Sequence, residues 1–366
     1  MEHTEQDRLW IWLGSVEGIG AQNFYTLIAA FGDAGEVYRA KEDDPRLYRL
    51  SAAVRARLKK AQTGAYMEAL FGRLEKKGIK AVSRLHPDYP PPLQDIFLPP
   101  PVLYARGTLP VPLERAVAVV GSRRATRYGL EAAFTIGRDL ALMGITVVSG
   151  LARGIDGRAH EGALEAGGPV AGVLGCGVDV AYPKENAKLC DRVAECGCLL
   201  SEYALGTRPL PGNFPMRNRI MSGLCRAAVV VEAGAKSGAL ITADHALAQG
   251  RDVYAVPGSI FSPACEGSNR LLSDGAAPLL KAEDIALAYG WGRQGKKAPR
   301  KAVSVPDDPL QQRIAARLSS GPASFDELAD ALGMDAGKLN SVLTIMELSG
   351  IIIQLSGRVF SLPRNN

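Results

Sequence analysis

Residues 117–290 predict an α/β fold with a Rossmann-like parallel sheet core, preceded by an all-helical domain and followed by a winged-helix domain. Three observations carry that prediction. Short, continuously apolar runs alternate with helical stretches through the middle of the chain, the pattern of strands covered by helices on both faces. Residues 1–80 show helical periodicity alone, and the C-terminal segment reads as three helices followed by a hairpin.

The elements follow in order. In residues 1–80 the spacing of Leu9, Trp12, Leu13, Phe24, Leu27 and Ile28 places apolar side chains on one face of successive helices. The Gly18-Ile19-Gly20 turn between them is similar to a helix-hairpin-helix, whose turn amides touch DNA phosphates; a tight helix connection needs the same glycines. A proline-rich strap runs from His86 to Tyr104, where proline blocks helix and favours extended chain. Interleaved Leu93, Ile96, Phe97 and Leu103 imply that it packs on the domain that follows. Strands are expected at Val117–Val120, Ile145–Val148, Val170–Leu174, Cys198–Ser201, Ala228–Val231 and Val253–Val256, with helices at Leu130–Met143, Ala159–Ala166, Glu185–Ala194, Arg217–Leu224 and Leu240–Ala248. The sheet domain thus occupies 81–290, strap included. Residues 291–308 carry Arg293, Lys296, Lys297, Arg300 and Lys301 among Gly, Ala and Pro, a linker composition. In 309–366, helices at Leu310–Leu318, Ser324–Ala329 and Ala336–Leu348 precede a hairpin of Ile351–Leu355 and Arg358–Leu362 turning at Ser356-Gly357. Ser324 with Glu327 fits a capping box. The third helix offers only Lys338 and Asn340 near its start, so a protein contact fits it as well as nucleic acid does.

Composition bounds the function. With 366 residues, 47% hydrophobic and 22% charged, the chain supports two or three domains. A net charge of +5 permits a polyanionic partner without demanding one. The cysteines at 176, 190, 196, 198, 225 and 265 show no C-x-x-C spacing, and histidines at 3, 86, 160 and 245 complete no ligand set for Cys196-Gly-Cys198, so no metal is expected. The acidic start MEHTEQDRLWIWLG is unlike a signal peptide, and no run reaches the roughly 18 apolar residues of a membrane span. A cytoplasmic protein without membrane insertion is the expectation.

The chemistry should gather beyond the carboxyl ends of the strands, where ligands bind in open α/β sheets. The first strand ends in Gly121-Ser122-Arg123-Arg124 and the second in Ser149-Gly150-Leu151-Ala152-Arg153. Gly175-Cys176-Gly177, Ser201-Glu202-Tyr203 and Glu232 with Lys236-Ser237-Gly238 complete the rim. Glycine lets backbone approach a ligand, hydroxyls donate hydrogen bonds, and arginine grips phosphate with two parallel bonds. A strand handing over to a helix N-terminus at Gly121 also offers unpaired amides and the positive end of a dipole, so the rim reads as an anion site. In Asn213-Phe214-Pro215-Met216-Arg217-Asn218-Arg219, Phe214 could stack on an unpaired base while Arg217 and Arg219 hold its backbone. Equally, Phe214 could be core and either arginine could pair with Glu202 or Glu232.

Common small ligands lack their signatures. The first turn has no G-x-G-x-x-G and the chain has no Walker A sequence, so neither a dinucleotide nor ATP hydrolysis is supported, and no cofactor is expected. Ser149, Asp156 and His160 lie near one strand end, but no G-x-S-x-G elbow is present and Asp156 fits as a helix N-cap.

A longer ordered set of residues carries a resemblance. Tyr89-Pro90, Leu103-Tyr104-Ala105-Arg106-Gly107, Val120-Gly121-Ser122-Arg123 and Val148-Ser149-Gly150-Leu151-Ala152-Arg153-Gly154-Ile155-Asp156 come first. Tyr182-Pro183, Phe214-Pro215 with Arg217-Asn218-Arg219, Ser237-Gly238-Ala239 and Val256-Pro257-Gly258 follow. Over about residues 85–280 the chain resembles the DprA/Smf family of bacterial DNA-processing proteins. The resemblance implies a non-enzymatic single-stranded DNA binder that dimerises through the Rossmann-like domain and loads the RecA recombinase during natural transformation. It implies a SAM-like N-terminal domain, and DNA phosphates held by Gly121, Ser122 and Arg123. Two departures stand out: Ser201–Gly206 lacks the Pro-Pro common in the family, and Pro211-Gly212-Asn213 lacks a basic residue before Phe214. A phosphoribohydrolase-like enzyme using the same pocket is the alternative, with Glu232 or Glu202 as its acid.

Overall fold

Ala116-Val117-Ala118-Val119-Val120 is buried along its whole length, and its side chains alternate between two cores. Val117 and Val119 face one helical layer while Ala116, Ala118 and Val120 face the other, as the period of two in a strand requires. The computed structural model describes residues 2–108, 113–291, 308–349, 351–355 and 358–362. They form two units, divided between residues 295 and 296. The expected linker cations Arg293 to Lys301 and the Ser356-Gly357 turn lie outside the described residues.

The central sheet has nine strands: β1 Ile79–Ser83, β2 Val102–Gly107, β3 Ala116–Val120, β4 Thr146–Ser149, β5 Val170–Val173, β6 Cys198–Ser201, β7 Ala227–Val230, β8 Asp252–Ala255 and β9 Ala277–Pro278. Their order is β1-β2-β6-β5-β4-β3-β7-β8-β9. From β6 to β9 every pairing is parallel, with helices as crossovers. The chain steps outward from β3 through β4, β5 and β6, then returns to the other side of β3 for β7 and β8. Connections leave β3 and β7 in opposite directions, which opens a crevice at their carboxyl ends.

Sequence patterning missed that both flanks of the proline-rich strap are strands. Val102–Gly107 pairs antiparallel with β6, Tyr104 opposite Ser201, and Ile79–Ser83 adds outside it. Between them the prolines stay out of the ladder, where their missing N–H costs nothing. Leu93 of the strap is fully buried under the helix Asn213–Gly223, and the Tyr89 hydroxyl donates to the Pro100 carbonyl at 2.8 Å.

The N-terminal helices Glu5–Ser15, Ala21–Phe31, Ala34–Arg39, Ala52–Ala61 and Gly64–Lys76 close over Trp12, Phe24, Leu27 and Leu58. A Thr4–Asp7 capping box starts the first of them, and Asp7 also accepts the Ser83 hydroxyl at 2.5 Å, tying this layer to β1. Gly20 caps the second helix, immediately after the Gly18-Ile19-Gly20 turn. In the second unit, helices Pro309–Ser319, Phe325–Leu332 and Ala336–Leu348 pack around Ile314, Leu328, Leu339 and Leu343. The Ser324–Glu327 capping box is formed, and Ile353–Leu355 pairs antiparallel with Val359–Ser361 as the wing. Asn340 accepts from the Arg358 guanidinium at 3.1 Å, so the wing engages the start of the third helix.

His160 is fully buried in the helix Ile155–Glu165, with its Nε2 against the Ala171 carbonyl at 3.1 Å and no partner at Nδ1. Burial disfavours its cation and holds its pKa down to about 4. The unfolded chain, with an ordinary imidazole near 6.5, binds the extra proton first. The stability from neutral His160 is therefore complete above about pH 6.5 and is lost as pH falls through 4, up to about 3 kcal/mol. His160→Leu should lack this part of the pH dependence; urea melts of both proteins between pH 7 and pH 4 would show parallel curves if the assignment were wrong.

Candidate nucleic-acid interface

The crevice predicted by the topology is a cleft of about 910 Å³. Gly121, Ser122, Arg123 and Arg124 follow β3, Phe214, Arg217 and Asn218 come from the helix Asn213–Gly223, and Lys236, Ser237 and Gly238 follow β7. Ten of the expected site residues, scattered over more than a hundred positions, therefore share one cavity.

The turn after β3 works differently from the sequence expectation. Gly121 is required by packing, because a Cβ there would meet Ile155 Cγ1 at 2.5 Å and the Glu232 carbonyl at 2.9 Å. The Ser122 amide donates to that same carbonyl at 2.7 Å, and the Arg124 amide donates to Ser122 Oγ at 3.1 Å. The helix begins only at Arg127, behind the N-cap Thr126. Its N-terminus already holds an anion: Glu232, fully buried, accepts the Thr126 amide at 2.9 Å and the Thr126 hydroxyl at 2.5 Å. The helix end beside β3 is thus spent on the chain's own carboxylate.

The arginines do what those amides cannot. Arg123 and Arg124 are exposed, and no ion pair among the described residues engages them. Lys236 is exposed opposite them, just ahead of the helix Gly238–Ala248 capped by Ser237. That helix turns the positive end of its dipole toward the same space. Aromatic surface completes the cleft: the rings of Phe214 and Tyr182 lie 5.4 Å apart, and the Arg123 guanidinium sits 5.3 Å above Phe214. Phe214 is half-buried and lines the cleft. Tyr182 belongs to the family pattern without being an expected contact; the signal that marks it is an aromatic beside proline in the loop after β5.

Other expected contacts are built into the wall of the cleft or lie outside it. Ser149 is fully buried and donates to the Val119 carbonyl at 2.6 Å, locking β4 to β3. Gly150 gives its amide to Asp156 at 3.1 Å and its carbonyl to Arg217 at 3.0 Å, and an added Cβ would overlap that guanidinium. Arg217 lines the cleft from within the wall, 3% exposed, bound also to the Val173 carbonyl and to Asn218 at 3.2 Å. Burial lowers its pKa to about 10, with Asp156 opposing that shift, so it stays charged at neutral pH. Arg219 points elsewhere: it is 2% exposed and pairs with Glu202 at 2.5 Å. Arg153 is on the surface, paired with Glu185, outside the cleft lining.

The hydrolytic readings lose their parts in the same geometry. His160 and Ser149 bond to different backbone carbonyls, and the N-cap expected at Asp156 is Gly154. Asp156 lies one position inside the helix, where its buried carboxylate gathers backbone amides of Gly150, Ala152 and Gly121. Glu232 and Glu202, the acids an enzyme would need, are both consumed in buried pairings away from the cleft lining.

Comparison with known proteins now decides the family. Residues 80–290 match the model of DNA recombination-mediator protein A, and residues 298–358 match the DprA winged helix domain. The chain belongs to the DprA/Smf family. It is 38% identical over 244 residues to the DNA processing protein DprA of Bacillus subtilis, covering 64% of this chain and 82% of that one. Protein Smf of Synechocystis is 34% identical over 306 residues, covering 74% and 77%. The X-ray structure of DprA from Streptococcus pneumoniae superposes with a TM-score of 0.65 at 32% identity, covering 79% of this chain and 98% of that one. DNA processing protein A from Helicobacter pylori, solved for its single-stranded DNA binding mode, gives 0.51 at 28% identity, covering 58% and 95%. As a DprA/Smf protein the chain has the Rossmann-like fold and C-terminal winged helix expected from its sequence. No helix among the described residues is long and apolar enough to cross a membrane.

Proposed function

We propose that this DprA/Smf protein is a non-enzymatic single-stranded DNA binder that acts in natural transformation, protects incoming strands and loads the RecA recombinase onto them. The observation that carries the binding step is the union of exposed cations with the aromatic rings of Phe214 and Tyr182 in the lining of one cleft. Arg123, Arg124 and Lys236 take successive phosphates, while Phe214, backed by Tyr182, stacks on an unpaired base. Duplex DNA hides its base faces within the stack, so it cannot use the aromatic part of the site. A lining that keeps its carboxylate buried among backbone amides, at Asp156, provides no free acid for hydrolysis. Homodimerisation through the Rossmann-like domain and a cytoplasmic location belong to the same proposal.

Fluorescence anisotropy with labelled single-stranded and duplex oligonucleotides across a salt series tests it. Single strands should bind more tightly, with little sequence preference and a log–log salt slope near −0.7 per phosphate contacted. Equal affinity for duplex, or release of free base from nucleoside monophosphates, would overturn it.

A further inference from the structure

A second groove, of about 380 Å³, lies beside the cleft between the segments that follow β3 and β8. Thr126, Tyr128, Pro257, Gly258, Ser259, Ser262 and Cys265 line it. Arg124 lines the first cavity and Thr126 the second, so at most about 7 Å of backbone separates their walls. The far wall is anchored to the same loop as Lys236, because the Gly267 amide donates to the Ala233 carbonyl at 2.7 Å.

We propose that the single strand continues from the cleft into this groove, where Tyr128 and Phe261 stack on its unpaired bases; this rests on the single-stranded DNA reading above. Tyr128 is half-exposed, and its hydroxyl is held by the Pro257 carbonyl at 2.7 Å, which fixes the ring across the groove. Phe261 is 90% exposed and Ile260 83% exposed, consecutive residues between the lining residues Ser259 and Ser262. Single exposed apolar residues are ordinary, but an adjacent pair on a braced turn is not. The Phe261 amide donates to Ser259 Oγ at 3.3 Å, and the Ser262 amide to the Ser259 carbonyl at 3.1 Å.

Charge favours bases over phosphates here. Among the described residues no cation lines the groove, Arg127 nearby is engaged by Glu131 at 2.8 Å, and exposed Glu266 begins the next helix. A polyanion would thread it base-side in, its phosphates turned to solvent. Stacking of this kind adds affinity without releasing counterions.

Phe261→Ala removes a solvent-facing ring and leaves the fold intact. Anisotropy with oligothymidylates of about 4 and about 16 nucleotides, the span of such sites, reads the consequence. The long strand should bind the variant about 5- to 150-fold more weakly, with an unchanged salt slope and unchanged affinity for the short strand. Equal affinity of variant and wild type for both lengths would overturn the proposal. So would loss at both lengths with conversion of a dimer to a monomer in sedimentation, which assigns the patch to a second copy of the chain. Arg123→Ala measured in parallel separates the two readings: if it alone weakens binding, only the extended track fails, and if neither variant does, the cleft assignment fails with it.

Discussion

Replacing Arg123 and Arg124 together with alanine is expected to weaken single-stranded DNA binding at least about 100-fold at low salt. Each guanidinium is solvent-exposed and free of intramolecular ion pairs among the described residues, and the contact of Arg123 with the Phe214 ring is at the surface, so the fold depends little on either charge. A hydrogen bond to a charged partner contributes about 1.5–3 kcal/mol, and two such grips are lost. The log–log salt slope should fall by about 1.4, since each phosphate contact to single strands contributes about 0.7. The melting midpoint should stay where it is, because exposed substitutions of this kind shift stability by about 0.5 kcal/mol or less. A folded double variant with the wild-type slope would remove the phosphate assignment altogether.

The largest effect on stability is expected from Glu202→Ala. Glu202 and Arg219 form an ion pair that is almost wholly buried, made through Arg219 Nη2, while its Nε and Nη1 are buried without a hydrogen-bond partner among the described residues. Burial pushes the Glu202 carboxyl above its usual range, with Arg219 pulling against it. Removing the carboxylate strands a guanidinium away from water and should cost about 3–5 kcal/mol. Replacing both, Arg219→Met with Glu202→Leu, should recover most of that loss, because two charges no longer need to be desolvated. Urea denaturation of the three proteins checks the order. DNA affinity per folded molecule should be unchanged in the double replacement; a large loss there would return Arg219 to the interface.

Those two arginine pairs show how far the sequence could be read. Gly121-Ser122-Arg123-Arg124 and Arg217-Asn218-Arg219 look alike as strings: small or polar residues beside basic ones, each near a strand or helix end. In the fold one pair is open to solvent while the other is walled in. On a helix, Arg217 and Arg219 sit about 200° apart, so only one can face the cleft. Arg217 takes that side, and Arg219 turns inward to Glu202, just past the end of β6. Which of them did so depended on where Glu202 emerged from β6, and no local spacing reports that.

The strap shows a related limit. Val102–Gly107 has the apolar character of a strand, but its prolines argued for a packed extended segment, and pairing is a property of two strands at once. The central strands were legible because burial on both faces leaves an uninterrupted apolar run.

By itself the sequence determined the alternation of strand and helix, the convergence of Gly, Ser and Arg at strand ends, the winged-helix order and the family. These are written in local periodicity and in ordered motifs, which survive without coordinates. Tertiary structure alone decided which charges are available. Glu232 fills the helix N-terminus that a phosphate would have taken, Ser149 and Gly150 become part of the wall, and Arg123, Arg124 and Lys236 stay free. The physical reason is that a buried polar group must be matched by a partner, and partners for these groups lie up to 106 positions away.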